Sequence, residues 1–206
     1  MSNMYIRSKG VLVLGLLFFL SAGCSSTDSF DRVSTIFTSS FSDREQSVSI
    51  QSSDIEYAFT QKDQHPEKLL IQVIDDAQDT LDISIYSLTE RNITNSIINA
   101  QQRGVKVRVI TDRSQSEGES QAERIHQLLD KGIEVKENTH SGLMHHKTTI
   151  ADRSVVTTGS FNYSTAATKY NDEVLVVIHD NAIAEYWSDV FQEMWLDQER
   201  YAAVSL

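Results

Sequence analysis

Residues 143–173 read LMHHKTTIADRSVVTTGSFNYSTAATKYNDE, and no other stretch of the 206-residue chain gathers as much polar chemistry. His145 is followed closely by the β-branched residues Thr148, Thr149 and Ile150, which favour a strand. A strand sends positions two apart to the same face, so His145 and Lys147 point one way, about 7 Å apart at roughly 3.3 Å per residue. His146 points the other way. Asp152-Arg153 reads as a tight turn into a second strand, Ser154 to Thr158, and this hairpin returns Gly159-Ser160-Phe161-Asn162 to the His145 end. An imidazole, a lysine cation, a hydroxyl and a carboxamide then converge. These are the parts needed to hold a phosphodiester, neutralise its oxygens and attack its phosphorus.

Taken as a string, His145-x-Lys147, then Asp152, then Gly159-Ser160-x-Asn162 resembles the HxKxxxxD motif with trailing GSxN of the phospholipase D superfamily. The resemblance runs from about Asp54 to the region of Trp195 and is nearest to the small bacterial endonuclease-like members with a single motif per chain. It implies a phosphodiesterase that needs neither metal nor other cofactor and works through a phosphohistidine. By the same resemblance His145 is the nucleophile, Lys147, Ser160 and Asn162 bind the phosphoryl oxygens, and Glu173 orients the imidazole. Asp152 joins this catalytic set as an electrostatic or structural partner. Two-motif relatives place two histidines on opposite sides of the phosphate, so a one-motif chain is expected to form a homodimer with a shared active site.

Each residue also has an ordinary reading. His146, on the other strand face, reads as a core or surface histidine. His140, His145, His146 and Glu173 suggest zinc only superficially, because the HExxH spacing and cysteine pairs are missing; no metal is expected. Lys147 alone is a solvated charge, Gly159-Ser160 alone a turn, and Glu173 alone the charge that opens a strand.

The first 23 residues read as an address: Arg7 and Lys9, an apolar run from Val11 to Leu20, then Ser21-Ala22-Gly23-Cys24. Ten apolar residues are too few for a comfortable permanent span. The pattern resembles a lipoprotein-type signal peptide, with Cys24 as the lipidation site, which implies a bacterial cell-envelope location. The anchor would sit on the outer side of the cytoplasmic membrane or in the periplasm or outer membrane. Cys24 is the only cysteine, so no disulfide forms within the chain. Residues 24–53 read as a tether, since 14 of the 29 residues from Ser25 to Ser53 are Ser or Thr and cannot pack a core of their own.

Residues 54–206 carry the catalytic domain. Strands are expected at Asp54–Thr60, Leu81–Leu88, Val105–Thr111, Ile133–Glu137 and Glu173–Ile178. Helices are expected at Glu67–Gln78, Ile93–Arg103, Gln121–Lys131 and Asn181–Gln198, with a polar loop over Asp112–Ser120. The alternation predicts an α/β fold: a mixed, mostly parallel sheet with helices on both faces. Trp187, Phe191 and Trp195 recur every four residues on the last helix and read as core or dimer packing. The formal net charge of −11 argues against tight nonspecific nucleic-acid binding. A local groove from Lys147, Arg113, Arg153 and Lys169 would still suffice for a nuclease. Three functions therefore stand: a nuclease-like phosphodiesterase, a phospholipase D acting on lipid headgroups, and an inactive membrane-tethered binding lipoprotein.

Overall fold

Short apolar strands alternate with amphipathic helices through most of the domain. A computed structural model describes residues 54–204; the expected signal peptide, Cys24 and the tether lie outside the described residues. In chain order the elements are β1 (Ile55–Phe59), α1 (Pro66–Asp76), β2 (Thr80–Ile85), α2 (Arg91–Arg103), β3 (Lys106–Thr111), α3 (Arg113–Ser116) and α4 (Glu119–Leu129). They continue with β4 (Glu134–Asn138), β5 (Lys147–Ala151), β6 (Val155–Gly159), α5 (Thr165–Lys169), β7 (Val174–His179), α6 (Asn181–Leu196) and β8 (Tyr201–Ala203).

The strands make one sheet in the order β1-β7-β6-β5-β2-β3-β4-β8. It is mixed, as expected, but less parallel than expected: only β2–β3 and β3–β4 pair in parallel, across the crossovers that carry α2 and α4. The other five pairings are antiparallel. A short turn can join only antiparallel strands, which fixes β5–β6, and strands from both ends of the domain close the edges the same way.

Helices cover both faces. On one, Leu70 and Ile74 of α1, Ile93 and Ile97 of α2, and Ile125 and Leu128 of α4 pack against Leu81, Ile83, Val107 and Val109. On the other, Ala184 and Phe191 of α6 pack against Ile110, Ile150 and Val156, with Trp187 and Trp195 partly buried beside them. The aromatic face of α6 also holds the Arg108 guanidinium, 5.1 Å from the Phe191 ring and 5.3 Å from Trp195. Both oxygens of buried Asp82 accept hydrogen bonds from this guanidinium, each at 2.8 Å. α6 packs on β2, β5 and β6. Further along the same face, Val174, Val176 and Ile178 of β7 are only half-buried, while Tyr57 and Phe59 of β1 are exposed.

Besides the short 3-10 turn Thr60–Lys62, three elements among the described residues were not expected. α3 forms inside the polar segment because Asp112 accepts from the Ser114 amide. Ser164 caps the five-residue α5 in the same way, through the Ala167 amide. β8 has too few residues to show any period of its own and is made by pairing with β4.

Candidate active site

β2 and β5 pair antiparallel with Ile85 opposite Lys147, and the Tyr86 amide donates to the His146 carbonyl at 2.9 Å. This places His145, His146 and Lys147 where β2 ends. The loop leading in is fixed by two buried side chains. Asp112 accepts from the Met144 amide at 2.8 Å, and Asn138 donates to the Gly142 carbonyl at 2.7 Å.

His145 is exposed, whereas Lys147 is buried. The Lys147 Nζ stands 3.3 Å from His145 Nδ1 and 3.5 Å from Nε2, and donates to the His145 carbonyl at 3.0 Å. Burial pushes the Lys147 pKa down, and the charge of Glu173 pulls it partly back. Tyr86 forms a wall: its ring centroid is 4.6 Å from that of His145, and Lys147 Nζ lies 5.2 Å from it. His146 turns to the α6 face, its Nδ1 3.4 Å from Ser84 Oγ. Desolvation, then the charges of Lys147 and His145, lower its pKa. A cavity of about 450 Å³ opens there, with Ser84, His145, His146 and Lys147 on one side and Trp187, Val190, Phe191 and Met194 of α6 on the other.

The GSxN loop arrives from β6. Gly159 has φ 137°, and a Cβ there would collide with the Val174 carbonyl; only glycine lets β6 end this close to β7. Ser160 Oγ donates to Glu173 Oε2 at 2.5 Å and accepts from the Val174 amide at 3.1 Å. Asn171 Nδ2 donates to Glu173 Oε1 at 3.1 Å. Among the described residues Glu173 therefore holds Ser160 and Asn171 and makes no hydrogen bond to His145. Within one chain it fixes Ser160 and favours the Lys147 charge. Asn162 follows buried Phe161, and its Oδ1 is buried without a hydrogen-bond partner among the described residues. The loop is pinned by the Tyr163 carbonyl, which accepts from the amides of Thr89 and Glu90 at 2.8 and 2.9 Å. The Tyr163 phenol, pushed by burial up to about 12, stays neutral beside Thr149.

Asp152 is not part of this group. It lies past the far end of β5 with φ 52°, and its carboxylate accepts from the amides of Gln78, Asp79 and Thr80 at 2.9, 2.8 and 2.9 Å. Burial pushes its pKa up, but the three amides outweigh that and hold it below the usual carboxylate value. The spacing within the motif spans the whole strand, so its last residue anchors the sheet rather than the site. Arg153 of the same turn pairs with Asp189 at 3.0 Å and likewise supplies no charge to the site. Among the described residues no group of three or more His, Cys, Asp or Glu is placed to hold a metal. Tyr86, Asp112, Asn138 and Asn171 were missed. Tyr86 alone carried a signal, as an aromatic at a strand's C-terminal end, where α/β sheets place their sites.

An α/β domain with a His-Lys pair at the sheet end and a Gly-Ser-x-Asn loop beside it is the phospholipase D-like class. Residues 70–195 match the family described as "Cardiolipin synthase, PLD-like domain", and the chain belongs to that family within the phospholipase D superfamily. It is 36% identical over 132 residues to a phospholipase D of Rickettsia felis, covering 64% of this chain and 63% of that protein. It is 30% identical over 123 residues to a mitochondrial cardiolipin hydrolase of Xenopus tropicalis, covering 60% and 58%. In both cases the match spans less than two thirds of the relative. Among solved structures, the phospholipase D family member Nuc from Salmonella typhimurium is similar with TM-score 0.68 and 25% identity, over 74% of this chain and 98% of that one. NucT from Helicobacter pylori has TM-score 0.62 and 26% identity, over 74% and 99%.

Proposed function

We propose that this protein hydrolyses phosphodiesters through a covalent phosphohistidine on His145, without a metal, and that its substrates are nucleic-acid-like. The observation that carries this is the exposed His145 imidazole with the buried Lys147 ammonium within 3.3 Å of its ring. A ring nitrogen of His145 attacks phosphorus and the bond to the leaving oxygen breaks. Lys147 offsets the charge on the phosphoryl oxygens, with Ser160 and Asn162 as further contacts. Water then cleaves the P–N bond, releasing a phosphomonoester and free His145. Protonating the leaving oxygen and activating that water need a second group titrating near neutrality. His145 of the partner subunit in a homodimer would supply it. The half-buried face of β7, with exposed Tyr57 and Phe59 of β1 and exposed Tyr186 and Val190 of α6, offers such a partner an apolar surface close to Gly159.

The nuclease-like reading is supported by the compact one-motif domain, which Nuc and NucT match almost end to end. A phospholipid headgroup is the second reading. It is favoured by the apolar α6 side of the cavity beside His145 and by the names of the phospholipase D and cardiolipin hydrolase relatives. The intact His145, Lys147, Ser160 and Asn162 count against an inactive binding lipoprotein. Cys24 lipidation would hold the domain at the cell envelope, and incorporation of a labelled fatty acid, lost in Cys24→Ser, tests it. Parallel assays on plasmid DNA, bis(p-nitrophenyl) phosphate and phosphatidylcholine vesicles, each in excess EDTA, test the activity. DNA and the chromogenic diester should be cleaved by wild type and not by His145→Ala. Cleavage of phosphatidylcholine alone would favour the lipid reading, and a requirement for added metal would sink the mechanism.

A further inference from the structure

One side chain touches both members of the His-Lys pair. Tyr86 directly follows β2, and its ring lies 4.6 Å from the His145 ring at an interplanar angle of 53°, with Lys147 Nζ 5.2 Å from its centroid. Its hydroxyl accepts from Gln115 Nε2 at 3.0 Å. Gln115 sits on α3, which Asp112 caps through one carboxylate oxygen while the other accepts from the Met144 amide at the approach to His145. The polar segment 112–120 thus reaches the pair twice, once through the backbone and once through Tyr86.

We infer that Tyr86 is a positioning residue: its ring fixes the orientation of the His145 imidazole and shares the Lys147 charge, and Gln115 sets the ring. The inference rests on the reading of His145 as nucleophile. Imidazole χ2 has a broad, shallow preference, so an exposed histidine needs a wall to hold one orientation. Among the described residues Lys147 is the only side chain hydrogen-bonded to the His145 ring. Glu173, His145 and His146 are the other titratable groups around Lys147; Glu173 favours the ammonium and burial opposes it. A ring face beside Nζ adds to the side of Glu173. Removing the ring should therefore misorient the nucleophile without weakening substrate capture, and let Lys147 lose its proton at lower pH.

The test compares Tyr86→Phe, Tyr86→Leu and Gln115→Ala with wild type, on bis(p-nitrophenyl) phosphate across pH. Tyr86→Leu should lose about tenfold or more in kcat at nearly unchanged KM, with the alkaline limb moved to lower pH. Tyr86→Phe should stay within about threefold of wild type on both counts, because it keeps the ring. Gln115→Ala should stay within the same range as Tyr86→Phe, because both lose the bond between Gln115 and the hydroxyl and both keep the ring. Wild-type kcat and alkaline limb in Tyr86→Leu would overturn the inference. So would an equal loss in Tyr86→Phe, which would assign the role to the hydroxyl. If Tyr86→Leu does not fold, Tyr86→Met takes its place with the same expectation. The nucleophile reading fails separately, by full activity of His145→Ala. In that event proton NMR still decides the positioning: ring-current shifts of the His145 ring protons should be present in wild type and Tyr86→Phe and lost in Tyr86→Leu. Their absence from wild type would overturn the inference.

Discussion

Replacing Asp152 separates anchoring from catalysis. Its carboxylate accepts three backbone amides that precede and open β2. Charge-assisted bonds of this kind are worth about 1.5–3 kcal/mol each when fully shielded. This turn is partly open, so water recovers a share, and Asp152→Ala should cost about 2–3 kcal/mol in total. Asp152→Asn keeps one acceptor oxygen and tolerates the left-handed φ of 52°, so it should cost about half as much. At roughly 2 kcal/mol per molar urea, the midpoint should fall by about 1 M and 0.5 M respectively. The pH dependence has a definite sign. The folded carboxyl is held below its ordinary value, so its contribution is fully present above the unfolded pKa of about 3.9 and fades as pH falls through the folded value. Wild type and Asp152→Asn should therefore converge in acid urea titrations. The activity of the folded fraction should stay within about twofold of wild type. A hundredfold loss of kcat in a variant with an unchanged urea midpoint would refute the assignment and return Asp152 to the chemistry.

Gly159→Ala should destabilise the domain by about 3 kcal/mol or more, measured by thermal unfolding, since its Cβ meets the Val174 carbonyl at a backbone conformation that L side chains rarely adopt. Glu173→Gln should shift the alkaline limb of kcat to lower pH, because Glu173 favours the Lys147 ammonium; an unmoved limb would contradict that coupling. Asp82→Ala should cost about 3 kcal/mol by leaving the partly buried Arg108 guanidinium without its carboxylate, held only by Gln192 and the two ring faces. The double variant Asp82→Leu with Arg108→Met should recover most of that loss in urea unfolding.

The β5–β6 hairpin was legible because β-branched alternation and a tight turn are local signals, and the hairpin alone puts Ser160 near His145. The hydrogen bonds of Glu173 to Ser160 and Asn171 were not legible, because they are set by how β6 ends against β7, which no spacing in sequence encodes. Asp152 was misplaced because a motif written as a string hides the strand within it; β5 carries its first and last members to opposite ends of the sheet. The excess of antiparallel pairing was also hidden, since β1 and β8 are edge strands whose direction follows from the partners they reach. Tyr86 and Asp112 act through contacts with the turn before Lys147, at sequence separations that periodicity cannot see. Helices α3 and α5 are too short for a 3.6-residue period, and only their capping residues, Asp112 and Ser164, could have marked them.

On the proposed mechanism His145 forms the covalent intermediate, whereas His146, one residue away and turned to Ser84, does not. Rapid acid or base quench during turnover of a phosphorus-labelled diester, followed by peptide mapping, reads this directly. Label on His145 in wild type and in His146→Ala, and none in His145→Ala, is the expected result. Label on His146, or turnover of wild type with no trapped phosphoryl group under conditions that slow the second step, would contradict it.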